Sequence, residues 1–355
     1  MESPERTRAS IEWEPNGQNN SAEVQELEHS RTCLRILGAA HCAASSGVFA
    51  GIGVVRRVPA KYHRPGSSRS SLLVTQPRTR RATRTLREVG YRSFTINGRM
   101  LGHGEPIRVK QGERVLFHVL NGSATEIRSL ALPGHSFEVV ALDGNPVPNP
   151  TPVPVLWIGT AERISAIVHM THPGVWILGD LADDDRRHSM GIAVEYAGRT
   201  GKGQWIAPPP FKWNYARFAK PGATALSPDE TFEMTFAKDN AAEEGFNRWT
   251  INGIAYPMTS EIVPAAFHLK TSKRYRLRMC NASDDIHPIH LHRHTFELTS
   301  LAGKPSGGIL KDVVMVGGYQ EVEIDFIADN PGLTLFHCHQ QLHMDFGFMT
   351  LFDYV

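Results

Sequence analysis

Cysteine is scarce in this chain. Only four occur in 355 residues, at Cys33, Cys42, Cys280 and Cys338. That is too few for a disulfide-built scaffold, and none forms the C-x-x-C spacing of a zinc or redox pair. Net charge is scarce as well. Thirty-eight basic and 36 acidic residues leave a formal +2, which argues against a global nucleic-acid or membrane partner. No segment sustains the 3.6-residue apolar period of a long helix, so helices are expected to be few. What is present is a chain long enough for two or three domains, with 41% apolar residues to build their cores.

The first 89 residues differ from the rest. Residues 1–30 are polar and acidic, and residues 34–55 are apolar but rich in Ala, Gly and Ser. The acidic leader is wrong for a secretion signal, and hydropathy is low for a membrane anchor. Residues 56–87 carry ten Arg and Lys and no acid. Without aromatic interleaving, the bland reading is a disordered segment. From Tyr91 onward, apolar runs of four to eight residues are bounded by Gly, Pro, Asn and Asp. Examples are Arg114–Leu120 before Asn121-Gly122, and Phe137–Leu142 before Asp143-Gly144. This pattern predicts an all-β antiparallel sandwich or barrel.

The pattern also repeats. Phe94–Gly98 returns as Trp249–Gly253, both reading aromatic-Thr-Ile-Asn-Gly. Asn121 and Ser123 return as Asn281 and Ser283, His135 as His294, and Pro173-Gly174 as Pro331-Gly332. Two copies of one β-domain follow each other. The expected plan is an atypical N-terminal segment over 1–89, a first domain over 90–200, a Pro-rich linker over 201–230 and a second domain over 231–355.

Histidine is concentrated in the second copy, as His287, His290, His292 and His294, then His337, His339 and His343 around Cys338. On strands, alternate residues share a face. His290 and His292 then face the same way, as do His337 and His339, while Cys338 points oppositely. Two sites are expected on opposite sides of one sheet. One holds four imidazoles. The other joins Cys338 to His287 and His343, the thiolate-plus-two-imidazole set of a type 1 copper centre. Zinc accepts such a set too, but gives no reason for the flanking His-x-His pairs. The first copy has Gly179-Asp180-Leu181 where the second has His337-Cys338-His339, so it is expected to bind no metal. His294, whose counterpart His135 has no ligand neighbours, is expected to be structural, and Cys280 to be a buried small apolar residue.

This pair of motifs resembles the C-terminal copper signature of the multicopper oxidases, the laccase-like family. Residues 90–355 resemble the second and third of its three cupredoxin domains. The resemblance implies two consecutive cupredoxin-like Greek-key sandwiches. It implies that His287, Cys338 and His343 hold type 1 copper and take electrons singly from a phenol, aromatic amine or metal ion. It further implies that His290 holds type 2 copper, that His292, His337 and His339 hold the type 3 pair, and that O2 becomes water at this three-copper cluster. A periplasmic or extracellular location follows by family analogy only.

The sequence departs from the family in several places. No His-x-His pair occurs in residues 1–90, so four of eight cluster ligands are missing. A second subunit or domain would have to complete the cluster; alternatively the protein is catalytically incomplete and only binds copper or transfers electrons. A metal-storage module is a third reading. Phe348 stands where many members place an axial Met, Met344 where bacterial relatives often carry an acid, and Arg293 where Gly is common.

Overall fold

The computed structural model describes residues 51–53, 56–58, 91, 93–243, 246–257, 259 and 262–355. The acidic leader and most of the apolar and basic stretches that follow it lie outside the described residues. Those described form four sheets with only short helical turns between them.

The repeat in the sequence is a repeat in topology. In the first copy, Arg114–Asn121, Arg163–His169, Phe137–Leu142 and Asn145–Val153 lie side by side in that order. The opposing sheet runs Ile107–Val109, Gly191–Tyr196, Val175–Asp180, Arg128–Ala131, Leu156–Ile158. In the second copy the corresponding series is Arg274–Asn281, Glu321–Ile327, Phe296–Leu301, Lys304–Lys311. It faces Phe267–Leu269, Met349–Tyr354, Thr334–Cys338, His287–Leu291, Val313–Val316. Spatial neighbours are not sequence neighbours, because the chain crosses between sheets in the Greek-key manner. Gly51–Gly53 and Arg56–Val58 also pair with Arg114–Asn121. Both lie within the atypical segment 1–89, and Arg56–Val58 within the stretch 56–87 that is expected to be disordered.

Period-two alternation sets what each strand buries. Val115, Phe117, Val119 and Asn121 point inward from one strand, and Tyr275, Leu277, Met279 and Asn281 from its counterpart. The same alternation corrects the reading of Cys280. It falls between two inward residues and is exposed. Across the second sandwich, Phe236 meets Phe336 with ring centroids 6.3 Å apart, and Phe326 meets Phe352 at 6.4 Å. Burial of each such ring stabilises the fold by about 1.5–3 kcal/mol.

The repeated polar residues fasten turns. Asn97-Gly98 and Asn252-Gly253 both adopt positive φ at both residues (58° and 70°, 53° and 78°), the tight-hairpin geometry that Asn-Gly favours. Asn281 is buried; its Nδ2 donates to Asp285 O and Gly317 O, and its Oδ1 accepts from Ser283 N. Asn121 makes the equivalent bonds to Glu126 O, Ile158 O and Ser123 N. His135 donates from one ring nitrogen to Pro133 O and meets the Tyr196 hydroxyl at 2.6 Å with the other. His294 repeats this with His292 O and Tyr354. Arg293 has φ 65°, like Gly134 of the first copy at 73°. The left-handed backbone there accounts for the glycine that the family resemblance leads one to expect. Arg293 offsets its strain by donating to Asn330 Oδ1 and Pro331 O.

Asn281→Ala should lower unfolding free energy by about 2–4 kcal/mol, because two part-buried carbonyls and two buried donors of Ser283 lose their partner. Chemical denaturation measures this, and a loss below about 0.5 kcal/mol would contradict the clamp.

Candidate metal centre

Two neighbouring strands of the second sandwich generate both groups of histidines. His287–Leu291 runs antiparallel to Thr334–Cys338, with Ile289 opposite Cys338 and His290 opposite His337. Directly opposed residues project to the same face. Cys338 therefore joins the face of Ile289 and His287, toward the core. His337 joins His290 on the other face. His343 arrives from the short helix Gln341–Asp345, whose N-cap Gln340 accepts the His343 N–H through Oε1 at 3.1 Å.

The core-side group converges on one point. Cys338 Sγ lies 3.7 Å from His287 Nδ1 and 3.6 Å from His343 Nδ1, and the two nitrogens are 3.0 Å apart. A trigonal ion with bonds of about 2.0 Å to nitrogen and about 2.3 Å to sulfur would separate S from N by about 3.7 Å and N from N by about 3.5 Å. The triangle thus fits one metal ion after a small outward movement of the two rings. Ser283 sets the tautomer of His287. Its hydroxyl donates to Asn281 Oδ1 (2.8 Å), so it accepts from His287 Nε2–H (3.1 Å), leaving Nδ1 basic toward the centre. Gln340 N donates to Cys338 Sγ at 3.4 Å. Burial pushes the Cys338 thiol up, as expected of a thiol with no cation beside it. The Phe348 ring is 4.6 Å from the His287 ring and 4.9 Å from Phe236, and closes the remaining side without offering a donor atom. His343 stacks on Trp249 at 4.1 Å. It is 6% exposed, whereas His287 and Cys338 are fully buried, so His343 is the outward edge of the group.

The opposite face gathers His290, His292, His337 and His339, with neighbouring ring centroids 4.6–5.6 Å apart. His290 Nδ1–H donates to Asp312 O (2.6 Å) and His337 Nδ1–H to Cys338 O (2.9 Å), which leaves Nε2 basic on both. His337 Nε2 then faces His292 Nε2 at 3.0 Å. His339 Nε2 is buried with no hydrogen-bond partner. The orphaned His339 nitrogen is costly in a dry interior, and a bound cation would satisfy it together with the basic Nε2 atoms of His290 and His337. All seven residues named from the sequence thus fall into the two expected groups, and His294 lies in neither.

The first copy holds a different solution at the equivalent position. Asp180 opposes Leu130 as Cys338 opposes Ile289. By the same register Arg128 replaces His287, Asp185 replaces His343 and Met190 replaces Phe348. The buried Arg128 guanidinium donates to Asp185 Oδ2 at 2.7 Å, lies 3.9 Å from Asp180 Oδ2 and sits 4.2 Å above the Phe94 ring. A side-chain cation stands where the second copy has a metal-ligand triangle. The repeat offset of 158 or 159 residues pointed to Asp180; the Arg128 and Asp185 partners emerged only in the fold.

Burial, chiefly, lowers His290, His292, His337 and His343 from 6.5 to about 3, and holds His287 and His339 well below their ordinary value. These imidazoles are neutral at pH 7, as metal ligation requires. A depressed histidine pKa stabilises the fold fully above the unfolded value and loses that contribution as pH falls through the window from 6.5 to 3. Metal-free protein should therefore lose about 1 kcal/mol per histidine per pH unit below 6.5. Thermal denaturation at pH 7 and pH 5 checks this, and equal melting temperatures would contradict it.

Two family models, both described as multicopper oxidase, match residues 69–191 and 200–355. The multicopper oxidase MmcO of Mycobacterium tuberculosis is 31% identical over 272 residues, covering 76% of this chain and 52% of that protein. Laccase-4 of Thanatephorus cucumeris is 29% identical over 298 residues, 70% of this chain and 54% of its own. This chain spans about half the length of the curated relatives it matches. Among solved structures, Fet3p, a multicopper oxidase that functions in iron import, superposes with TM-score 0.61 at 20% identity over 73% of this chain and 58% of its own. The multicopper oxidase from Pseudomonas thermotolerans gives 0.55 at 24% over the same shares, and these likenesses place the fold among the cupredoxins. With two matching family models and a relative above 30% identity, the chain belongs to the multicopper oxidase family.

Proposed function

We propose that this chain supplies the electron-accepting site and half of the oxygen-reducing site of a laccase-like copper oxidase. The reading rests on one observation above the rest, the convergence of Cys338 Sγ with His287 Nδ1 and His343 Nδ1 within 4.8 Å of one another. On this reading His287, Cys338 and His343 hold type 1 copper. His290 holds type 2 copper, and His292, His337 and His339 contribute to the type 3 pair. Copper bound at these positions supplies one-electron redox chemistry and, at the cluster, reduction of O2 to water.

The chain's own residues do the rest. Cys338 lies between His337 and His339, so the main chain joins the two groups by covalent bonds. Phe348 and Phe236 pack beside His287 and offer no donor atom, so copper held by these residues would lack a fourth protein ligand, which would raise its reduction potential. His343 is the edge at which an electron donor makes contact, and its plane is held by Trp249. The donor is a phenol, an aromatic amine or a metal ion. Met344 stands directly after His343 where bacterial relatives often carry an acid, and the next carboxylate, Asp345, accepts from Gln341 Nε2 at 2.6 Å.

A second reading is favoured by a specific count. Among the described residues only four imidazoles gather at the cluster, where the family resemblance calls for eight. On that reading the chain binds copper and transfers electrons without reducing oxygen.

Copper loading should produce the intense visible absorption of a Cu–thiolate bond. Cys338→Ser should abolish it while leaving the fold intact by circular dichroism. A Cys338→Ser protein that stays blue would sink the assignment. Oxygen uptake with a phenolic donor separates the two readings: uptake once a second copy or a complementing chain is present favours the first, and copper binding without uptake in either case favours the second.

A further inference from the structure

The segment between the strands Lys304–Lys311 and Val313–Val316 crosses from one sheet of the second sandwich to the other. Three consecutive residues there are held from the first sandwich. Lys311 Nζ, fully buried, lies 2.8 Å from Asp143 Oδ2 and 3.0 Å from Glu162 Oε1. Asp312 N and Val313 N both donate to Asp143 Oδ2, at 3.3 and 3.2 Å. Arg163 grips the Asp312 carboxylate with both ends of its guanidinium, Nη1 to Oδ1 at 2.7 Å and Nη2 to Oδ2 at 2.6 Å. Arg163 is itself tied down through Nη2 to Asp143 O, Nη1 to Ala161 O and its main-chain N–H to Asp143 Oδ1.

The main-chain oxygen of Asp312 is the acceptor for His290 Nδ1–H, at 2.6 Å. We propose that Arg163 is a positioning residue for His290: its two-pronged bond to Asp312 aims the carbonyl that fixes the tautomer and orientation of this imidazole. The inference deepens, and rests on, the reading of His290 as a cluster ligand. A bidentate guanidinium–carboxylate pair constrains angle as well as distance. With the side chain and the N–H of Asp312 both held, its peptide plane has little freedom, and the hydrogen bond transmits that rigidity to the ring. His337 does not need this support, because its Nδ1–H bonds to the carbonyl of the adjacent Cys338. His290 thus takes its orientation from the other sandwich. The copy with no ligands of its own takes part in building the cluster.

Arg163 suits a test because it sits at the rim, its side chain about one-fifth exposed, while Lys311, Asp143 and Glu162 form the dry ion-pair core beneath. Arg163→Gln should leave that core in place and remove the grip. The primary readout needs no metal. In 15N-labelled, metal-free full chain, the His290 Nδ1–H should be slowly exchanging, and Arg163→Gln should speed its exchange about tenfold or more. On Cu(II) loading, affinity at the four-histidine face should fall about tenfold, the usual cost of losing a partner that orients a metal ligand. The Cys338-dependent absorption should be unchanged. Arg163→Lys, with a charge but no fork, should fall between. Asp312→Asn keeps the carbonyl and weakens the pair, and carries the test should Arg163→Gln not fold. Unchanged exchange and unchanged copper affinity in a folded variant would overturn the proposal. Failure of the wild-type face to take copper would instead sink the ligand reading, and the exchange measurement would still decide the role of Arg163.

Discussion

The whole site depends on the register between His287–Leu291 and Thr334–Cys338. With Ile289 opposite Cys338 and His290 opposite His337, the pleat sends the thiol to the core face and the paired imidazoles to the other. A slip of one residue would exchange the faces and scatter both groups. Hydrogen-bonded strand pairing also brings the two groups within a few bonds of each other. Separation and connection therefore follow from one local geometry, and the rest of the second sandwich holds that geometry in place.

The two copies place different polar groups at equivalent positions without changing the frame. The strand order, the asparagine clamp and the His–Tyr pair are common to both. At the ligand positions one copy places Cys and His, and the other a buried Arg–Asp cluster. Both are answers to the same problem of polar groups held in a dry interior. A guanidinium with carboxylates satisfies charge internally, whereas a thiol with two imidazoles presents converging lone pairs that suit a cation. The ligand-free copy is also bonded to the metal-side copy through Lys311 and Arg163, each meeting acidic partners across the boundary.

Legibility followed the distance over which information had to travel. Seven candidate ligands could be named because their spacing within two short segments matches strand alternation. His294 could be set aside because the repeat pairs it with His135. Cys280 was misjudged because its hydrophobic type was weighed above its place in the alternation between Met279 and Asn281. The repeat marked Ser283 and Trp249 without showing that they support a ligand, and Asp312 and Arg163 left no mark in spacing. Ser283 lies four positions from His287, but the others act on a ligand through contacts between segments far apart in the chain, such as Trp249 on His343 or the 149 positions between Arg163 and Asp312.

By itself, then, the sequence determined the β class, the duplication and the identity of the groups able to hold metal. These are properties of local alternation and side-chain chemistry, which need no knowledge of how the chain returns on itself. The tertiary structure alone decided that Sγ and two Nδ1 atoms meet at one point and which nitrogen of His287, His290 and His337 stays basic. It also decided that the first sandwich steadies the second. Those outcomes depend on register, on crossing connections and on donors brought from distant strands, and no spacing rule along a single chain contains them.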